Sequence, residues 1–106
     1  MDIAERMRPW GAIIHEQVPG FELFDAHTHL GQNDPDGMKQ KPEELIAGLK
    51  VAHARGAFVF PMHEPDGYPP ANDMVLEAAR NSEGLLVPFC RINPHTDDAL
   101  QEAERC

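Results

Sequence analysis

Basic residues are scarce in this 106-residue chain, which has nine Lys and Arg against 18 Asp and Glu and a formal net charge of −9. Nucleic acid and anionic membrane surfaces carry charge of the same sign, so they are poor partners. Long apolar runs are also missing, because no stretch approaches the roughly 18 residues of a membrane span. The start of the chain, MDIAERMRPW, carries acids and lacks the apolar core of a signal peptide. We therefore expect a soluble, cytoplasmic protein.

Cysteine is nearly absent as well, with only Cys90 and Cys106. Neither has a CxxC partner or another zinc-type spacing, so we expect no disulfide framework and a reducing compartment. Cys90 lies in an apolar stretch and is expected to be a small buried hydrophobic residue. The chain also lacks GxSxG, HExxH and a phosphate-binding glycine loop, which gives no support to the enzyme classes that depend on those motifs.

What the chain does contain is an alternation of short apolar segments and amphipathic segments, in a composition of 42% hydrophobic and 25% charged residues that is typical of a globular domain. Such alternation predicts parallel strands with helices packed outside them, and hence the α/β class. The predicted strands lie at 21–27, 57–60 and 85–92, and the predicted helices at 41–56, 72–84 and 93–106, after a partly helical leading segment.

Proline, glycine and capping residues suggest where these helices begin and end. Pro42 is placed for a first helical position and Gly56 for a stop. Asn72 or Asp73 is the expected N-cap of the second helix, and Thr96 that of the third.

The segment FDAHTHLG places two histidines two residues apart at the end of the first predicted strand. If that strand continues to residue 29, then one face carries Phe21, Leu23, Asp25, His27 and His29. Two imidazoles on one rigid strand suit zinc or a similar metal, and the preceding carboxylate could accept a hydrogen bond from a ligand. The alternative is a pair of solvent-exposed loop histidines.

Polar residues also follow the other two strands. His63 comes after the second strand, and Arg91 and His95 come at the end of the third, so in a barrel all would lie at the same mouth as the histidine pair. They could contact substrate, and the histidines could complete a metal site; Arg91 could bind a substrate carboxylate with two hydrogen bonds. The alternatives are ordinary polar loops and an arginine paired with a neighbouring acid. His15 and His53 are expected to be surface or packing residues.

FDAHTHLG (24–31) resembles the first-strand signature of the amidohydrolase superfamily of metal-dependent barrel hydrolases. The stretch NSEGLLVPFCRINPHTDDALQEAER (81–105) is similar to the third strand and following helix of its amidohydrolase-related (amidohydrolase 2) group. In that group the strand ends in an NP or DP pair. The resemblance therefore extends in kind from about residue 21 to the end of the chain.

The resemblance implies a (β/α)8 TIM barrel with one or two divalent metals, zinc being the first expectation. His27 and His29 match the family's first two ligands, and the other ligands come from later strands. Barrels of this kind need about 250 residues. The expectation is thus a single incomplete domain over residues 1–106, with a leading segment at 1–20 and the first three β/α units at 21–106.

The implied activity is hydrolysis, in which a metal-activated water attacks a C–N or C–O bond of a small-molecule substrate. A metal-dependent decarboxylase of the same group is one alternative. A second is a catalytically incomplete barrel fragment that only self-associates, either with another copy or with the missing half of the barrel. Barrels of the TatD nuclease or PHP phosphoesterase type also carry such a histidine pair. The acidic charge and the RINP segment favour the amidohydrolase-related group over both of them.

Overall fold

In a computed structural model, which describes residues 2–106, an N-terminal helix precedes three strands that alternate with three further helices. The elements are α1 (Ile3–Gln17), β1 (Leu23–Leu30), α2 (Pro42–Val51), β2 (Ala54–Pro61), α3 (Pro69–Arg80), β3 (Leu86–Pro88) and α4 (Ala99–Arg105). The expected α/β class is confirmed. Over the described residues, none of the helices combines the length and the apolar character needed to cross a membrane.

The three strands form one parallel sheet in the order β1-β2-β3. Each parallel connection runs through a helix, as the strand direction requires. The carboxyl ends of the strands consequently lie at one edge of the sheet, where the histidine segment and the segments after β2 and β3 come together.

One face of the sheet is covered by α2 and α3, and the core lies between these layers. Its members are aliphatic or small, which allows close packing of helix on sheet. They are Leu30, Leu45, Leu49, Ala57, Val59, Val75, Ala78 and Leu86. The helical spacing of Leu45 and Leu49 and the alternation of Ala57 and Val59 place these residues on the inward side.

The register of β1 against β2 shifts between Asp25 and Thr28. Asp25 pairs with Ala57 and Thr28 with Val59, so two residues of β1 stand opposite one residue of β2, as in a β-bulge. The strict alternation predicted for residues 21–29 is therefore wrong. Phe24, and not Asp25, has its ring on the side of the sheet that carries the two histidines, where it contacts Phe58.

Several predicted boundaries also move. Helix α2 begins at Pro42, as expected, but ends before Gly56, which lies in β2. A Cβ on Gly56 would lie 2.8 Å from the Leu85 carbonyl oxygen, so a close approach of two backbones explains this glycine. Helix α3 begins at Pro69, which places Asn72 inside its first turn. Helix α4 begins after Asp98, and Thr96 instead closes a turn by donating to the Asn93 carbonyl at 2.9 Å.

The cysteine prediction is wrong. Cys90 is exposed and is joined by a disulfide to Cys106, with 6.3 Å between the two Cα atoms. The bond ties the segment after β3 to the end of α4. Sequence spacing gave no sign of this pairing, because the fold brings together residues that are 16 positions apart. The two cysteines consequently no longer argue for a reducing compartment.

Candidate functional site

The two histidines of β1 face each other at the carboxyl end of the sheet. Their Nε2 atoms are 3.0 Å apart, and Nδ1 of His29 lies 3.2 Å from the carbonyl oxygen of Pro61. A carbonyl oxygen only accepts hydrogen bonds, so Nδ1 of His29 must carry the proton in that contact. In the neutral ring this leaves a lone pair on Nε2, which points toward His27.

This arrangement suits a shared ligand between the rings. Two nitrogens that bind one ion at about 2.0–2.1 Å each lie roughly 3 Å apart, which is close to the observed separation. A backbone carbonyl that accepts from Nδ1–H is also the usual way in which proteins orient a metal-binding histidine. Without an ion, a hydrogen bond from Nε2–H of His27 to Nε2 of His29 accounts for the same contact.

Asp25 occupies a different position from the one that strand alternation predicts. Its side chain is exposed, and Oδ1 accepts a hydrogen bond from the backbone N–H of His27 at 3.1 Å. Asp25 therefore fixes the main chain at the bulge, and within residues 2–106 its hydrogen bonding does not reach either imidazole ring.

A cluster of aromatic rings adjoins the histidine pair on the side of the sheet opposite α2 and α3. We call this the aromatic face, formed by Phe24, Phe58, Phe60 and Phe89. Phe60 is central, because its centroid lies 5.3 Å from that of His27, 5.9 Å from that of His29 and 4.9 Å from that of Phe89. These contacts put an apolar wall beside the imidazoles.

Arg91 reaches the same carbonyl group as His29. Its Nη1 lies 3.3 Å from the Pro61 oxygen, and its guanidinium carbon lies 5.1 Å from the centroid of the Tyr68 ring. Both contacts end on one oxygen atom, so the distance between Nδ1 of His29 and Nη1 of Arg91 cannot exceed the sum of the two contact distances. The ion pairs within residues 2–106 involve Arg55 and Arg105, and Arg91 has no carboxylate partner among them.

The main chain of Arg91 is held by the buried side chain of Asn72. Oδ1 of Asn72 accepts from the Arg91 N–H at 2.8 Å, and Nδ2 donates to the Arg91 carbonyl at 3.0 Å. Nδ2 also donates to Glu102 at 2.8 Å, and Arg105 donates to the same carboxylate. Hydrogen bonds first from Arg105 and then from Asn72 lower the pKa of Glu102 to about 2. The bond to Glu102 in turn raises the pKa of Arg105.

Two clefts border this region. One, of about 600 Å³, includes Asp25, His27 and His29 in its lining. The other, of about 480 Å³, includes His63 and Arg91. His29 lines one cleft and Arg91 the other, and both side chains contact the Pro61 carbonyl. His95 is exposed and belongs to the lining of neither cleft.

The segments after β1 and β2 are also held together near the histidines. Asn33 donates to Oε2 of Glu64 at 3.0 Å, and a Cβ on Gly31 would lie 2.7 Å from Cβ of Met62. Only a glycine permits this approach of the two segments.

The two histidines stand without a third ligand in the part of the chain that is described. In residues 2–106 no three His, Cys, Asp or Glu side chains come together as a possible metal cluster. His63 and His95 therefore do not complete the pair. Sequence reasoning missed the Pro61 carbonyl, the Tyr68 ring and the Asn72 side chain; the first is a main-chain group and leaves no sequence signal.

A second pair of imidazoles lies at the opposite end of the molecule. The rings of His15 and His53 have centroids 5.0 Å apart, between α1 and the end of α2. His15 also contacts Phe21, with 5.7 Å between centroids, so this pair has a packing role of the expected kind.

Comparison of the chain with protein-family models, with curated proteins and with solved structures returned no match.

Proposed function

We propose that residues 21–106 form the first three β/α units of a metal-dependent (β/α)8-barrel hydrolase that resembles the amidohydrolase-related group. His27 and His29 would bind a divalent metal, zinc in the first instance, through their Nε2 atoms. The substrate would be a small molecule with a hydrolysable C–N or C–O bond, held at the carboxyl end of the strands.

One observation carries this proposal: the two Nε2 atoms lie 3.0 Å apart while Nδ1 of His29 is engaged by a backbone carbonyl. Loop histidines without a role seldom have both rings oriented in this way, because each fixed side chain loses rotamer entropy. The parallel strand order and the helices on one face are also what a barrel would require.

A divalent metal bound there would supply Lewis acidity and an activated water for attack on the substrate. The chain's own residues would do the rest. The Pro61 carbonyl holds the His29 ring in one tautomer and orientation. Phe60 packs beside both rings, so it keeps bulk water away from that side of the site. Decarboxylation at the same site is the alternative reaction, since it would use the same ligands.

The test is the amount of zinc retained per chain, measured by elemental mass spectrometry after dialysis against zinc and then against buffer. We expect the wild-type chain to retain zinc, and the variant His27→Ala/His29→Ala to lose it. The matched control is His15→Ala/His53→Ala, which removes the other pair of facing imidazoles.

Each variant is also checked by circular dichroism, so that loss of zinc is not confused with loss of fold. Equal zinc retention by the wild type and by the His27→Ala/His29→Ala variant, or no retention by the folded wild type, would contradict the proposal. Loss of zinc only in the control would move the metal to the other end of the molecule.

A second candidate function is self-association without catalysis. The exposure of the aromatic face favours it, because Phe24 and Phe89 are each 41% exposed, and strands β1 and β3 both have an open edge. Sedimentation at several protein concentrations tests this candidate. A dimer that dissociates when Phe89 is replaced by Ser, together with no zinc retention, would favour it over the hydrolase.

A further inference from the structure

We propose that the guanidinium of Arg91 is a binding site for the carboxylate of a small ligand, beside the histidine pair. The inference deepens the proposed function and rests on it, because it names the chemical class of substrate that this site would hold. It depends on four observations: the free hydrogen-bonding capacity of the guanidinium, its fixed orientation, the rigid main chain beneath it and the cleft in front of it.

The guanidinium has more donors than partners. Within the described residues 2–106, one of its five N–H groups lies within hydrogen-bond distance of an acceptor, the Pro61 carbonyl at 3.3 Å. Arg91 is half-buried, and in residues 2–106 no acid forms an ion pair with it. A planar carboxylate is the ligand that matches the remaining fork of donors, since it accepts two parallel hydrogen bonds.

The side chain is held in place before any ligand arrives. The Tyr68 ring lies under the guanidinium at 5.1 Å, and the Pro61 carbonyl fixes one end of it. A guanidinium that is already oriented loses less entropy on binding than a mobile one, so more of the interaction appears as affinity.

The main chain of Arg91 is equally constrained. Asn72 is buried and bonds both the N–H and the carbonyl of Arg91. Its Nδ2 is further bonded to Glu102, whose carboxylate Arg105 neutralises. Asn72 is thus a positioning residue for Arg91, and it is the kind of second layer that a precise binding group needs.

The cleft in front of Arg91 has a volume of about 480 Å³ and is also lined by His63, Tyr68 and Asn93. Glu64 and Asp66 line it too, and Glu64 accepts a hydrogen bond from Asn33. Nδ1 of His29 and Nη1 of Arg91 contact the same Pro61 oxygen, at 3.2 and 3.3 Å, so a ligand bound at Arg91 would lie close to the histidine pair. The site would therefore hold a small molecule through a carboxylate group that accepts from the guanidinium of Arg91.

The experiment is a titration of the metal-free protein with benzoate, followed by NMR at the Arg91 Nε–Hε and Tyr68 ring signals. Benzamide, which has the same shape without the charge, is titrated in parallel. We expect saturable shifts with benzoate and none with benzamide. Arg91→Lys keeps the charge but loses the fork of donors, and binding should weaken by about tenfold or more. The matched control Arg80→Gln removes a positive charge from the far end of α3 and should bind benzoate like the wild type.

Arg91→Gln is a second variant of the same residue, so the test does not depend on whether Arg91→Lys folds. Its unfolding midpoint is recorded to show that it is folded. Equal benzoate affinity of wild type and Arg91→Lys, equal binding of benzamide, or no saturable shift at either signal would overturn the carboxylate site. The titration is repeated on His27→Ala/His29→Ala, which should still bind benzoate. Failure of the metal site and failure of the carboxylate site are thus separate results, because one is read as zinc retained and the other as benzoate bound without metal.

Discussion

The two faces of the sheet differ in almost every respect. The face under α2 and α3 carries aliphatic and small residues that are almost wholly removed from solvent, with Leu30 and Val59 at 0% exposure. The aromatic face carries four phenylalanine rings and two imidazoles that remain partly open. The covered face accounts for stability by burial of apolar area. The aromatic face leaves rings and ring nitrogens accessible, which is what binding requires.

The largest expected effect comes from shortening a side chain on the covered face, compared with the same kind of change on the aromatic face of the neighbouring strand. Leu30→Ala removes a fully buried side chain from the covered face and should lower the free energy of unfolding by about 3 kcal/mol. Phe60→Leu on the aromatic face should cost about 1 kcal/mol or less, because that ring is only partly buried. Urea unfolding followed by circular dichroism measures both. Equal losses would mean that the two faces contribute alike to stability.

The next effect concerns the disulfide that ties the end of β3 to α4. The variant Cys90→Ser/Cys106→Ser should lose about 3 kcal/mol of stability, because the bond closes a loop between residues 16 positions apart. Unfolding with and without reductant provides the control: reductant should lower the stability of the wild type and leave the double variant unchanged. A wild type indifferent to reductant would show that the bond adds nothing to stability in solution.

The smallest effect is a pH dependence, in which the stability that Glu102 contributes at neutral pH is lost on acidification. The folded pKa of Glu102, about 2, lies below its ordinary value of 4.5. The contribution of this carboxylate is therefore complete above about pH 4.5 and is lost as the pH falls toward 2. Glu102→Gln should show a shallower loss of stability across that window than the wild type. Glu104→Gln, an exposed acid of the same helix, should follow the wild-type profile; a wild-type slope in Glu102→Gln would contradict the assignment.

The sequence predicted the layers of the fold because its signals for them are local. The apolar segments, the first-turn proline at Pro42 and the alternation of helix and strand all depend on near neighbours. The β-bulge, the helix start at Pro69 and the Cys90–Cys106 bond were missed. The bulge and the disulfide depend on residues that are distant in the chain and become neighbours only after the strands pair, whereas the helix start is a local feature with Pro69 at its first position.

The candidate site divides in the same way. His27, His29 and Arg91 could be selected by residue type and by position at strand ends. The structure brings His29 and Arg91 to the Pro61 carbonyl and His27 against His29. The residues that hold these side chains in place could not be identified from the sequence. Asn72 looked like a helix cap, and its actual partner is the main chain of a residue 19 positions away.

The bulge in β1 shifts by one residue the alternation of side chains between the two faces of the sheet. Upstream of it, even-numbered Phe24 belongs to the aromatic face; downstream, odd-numbered His27 and His29 belong to the same face. One extra residue thus lets a single strand present three rings that a uniform two-residue period would divide between opposite sides. A sequence motif with fixed spacing does not describe such a strand, whereas a motif that allows one inserted residue does. Because the bulge interrupts the alternation, a change in side-chain orientation before Asp25 would leave His27 and His29 facing the site.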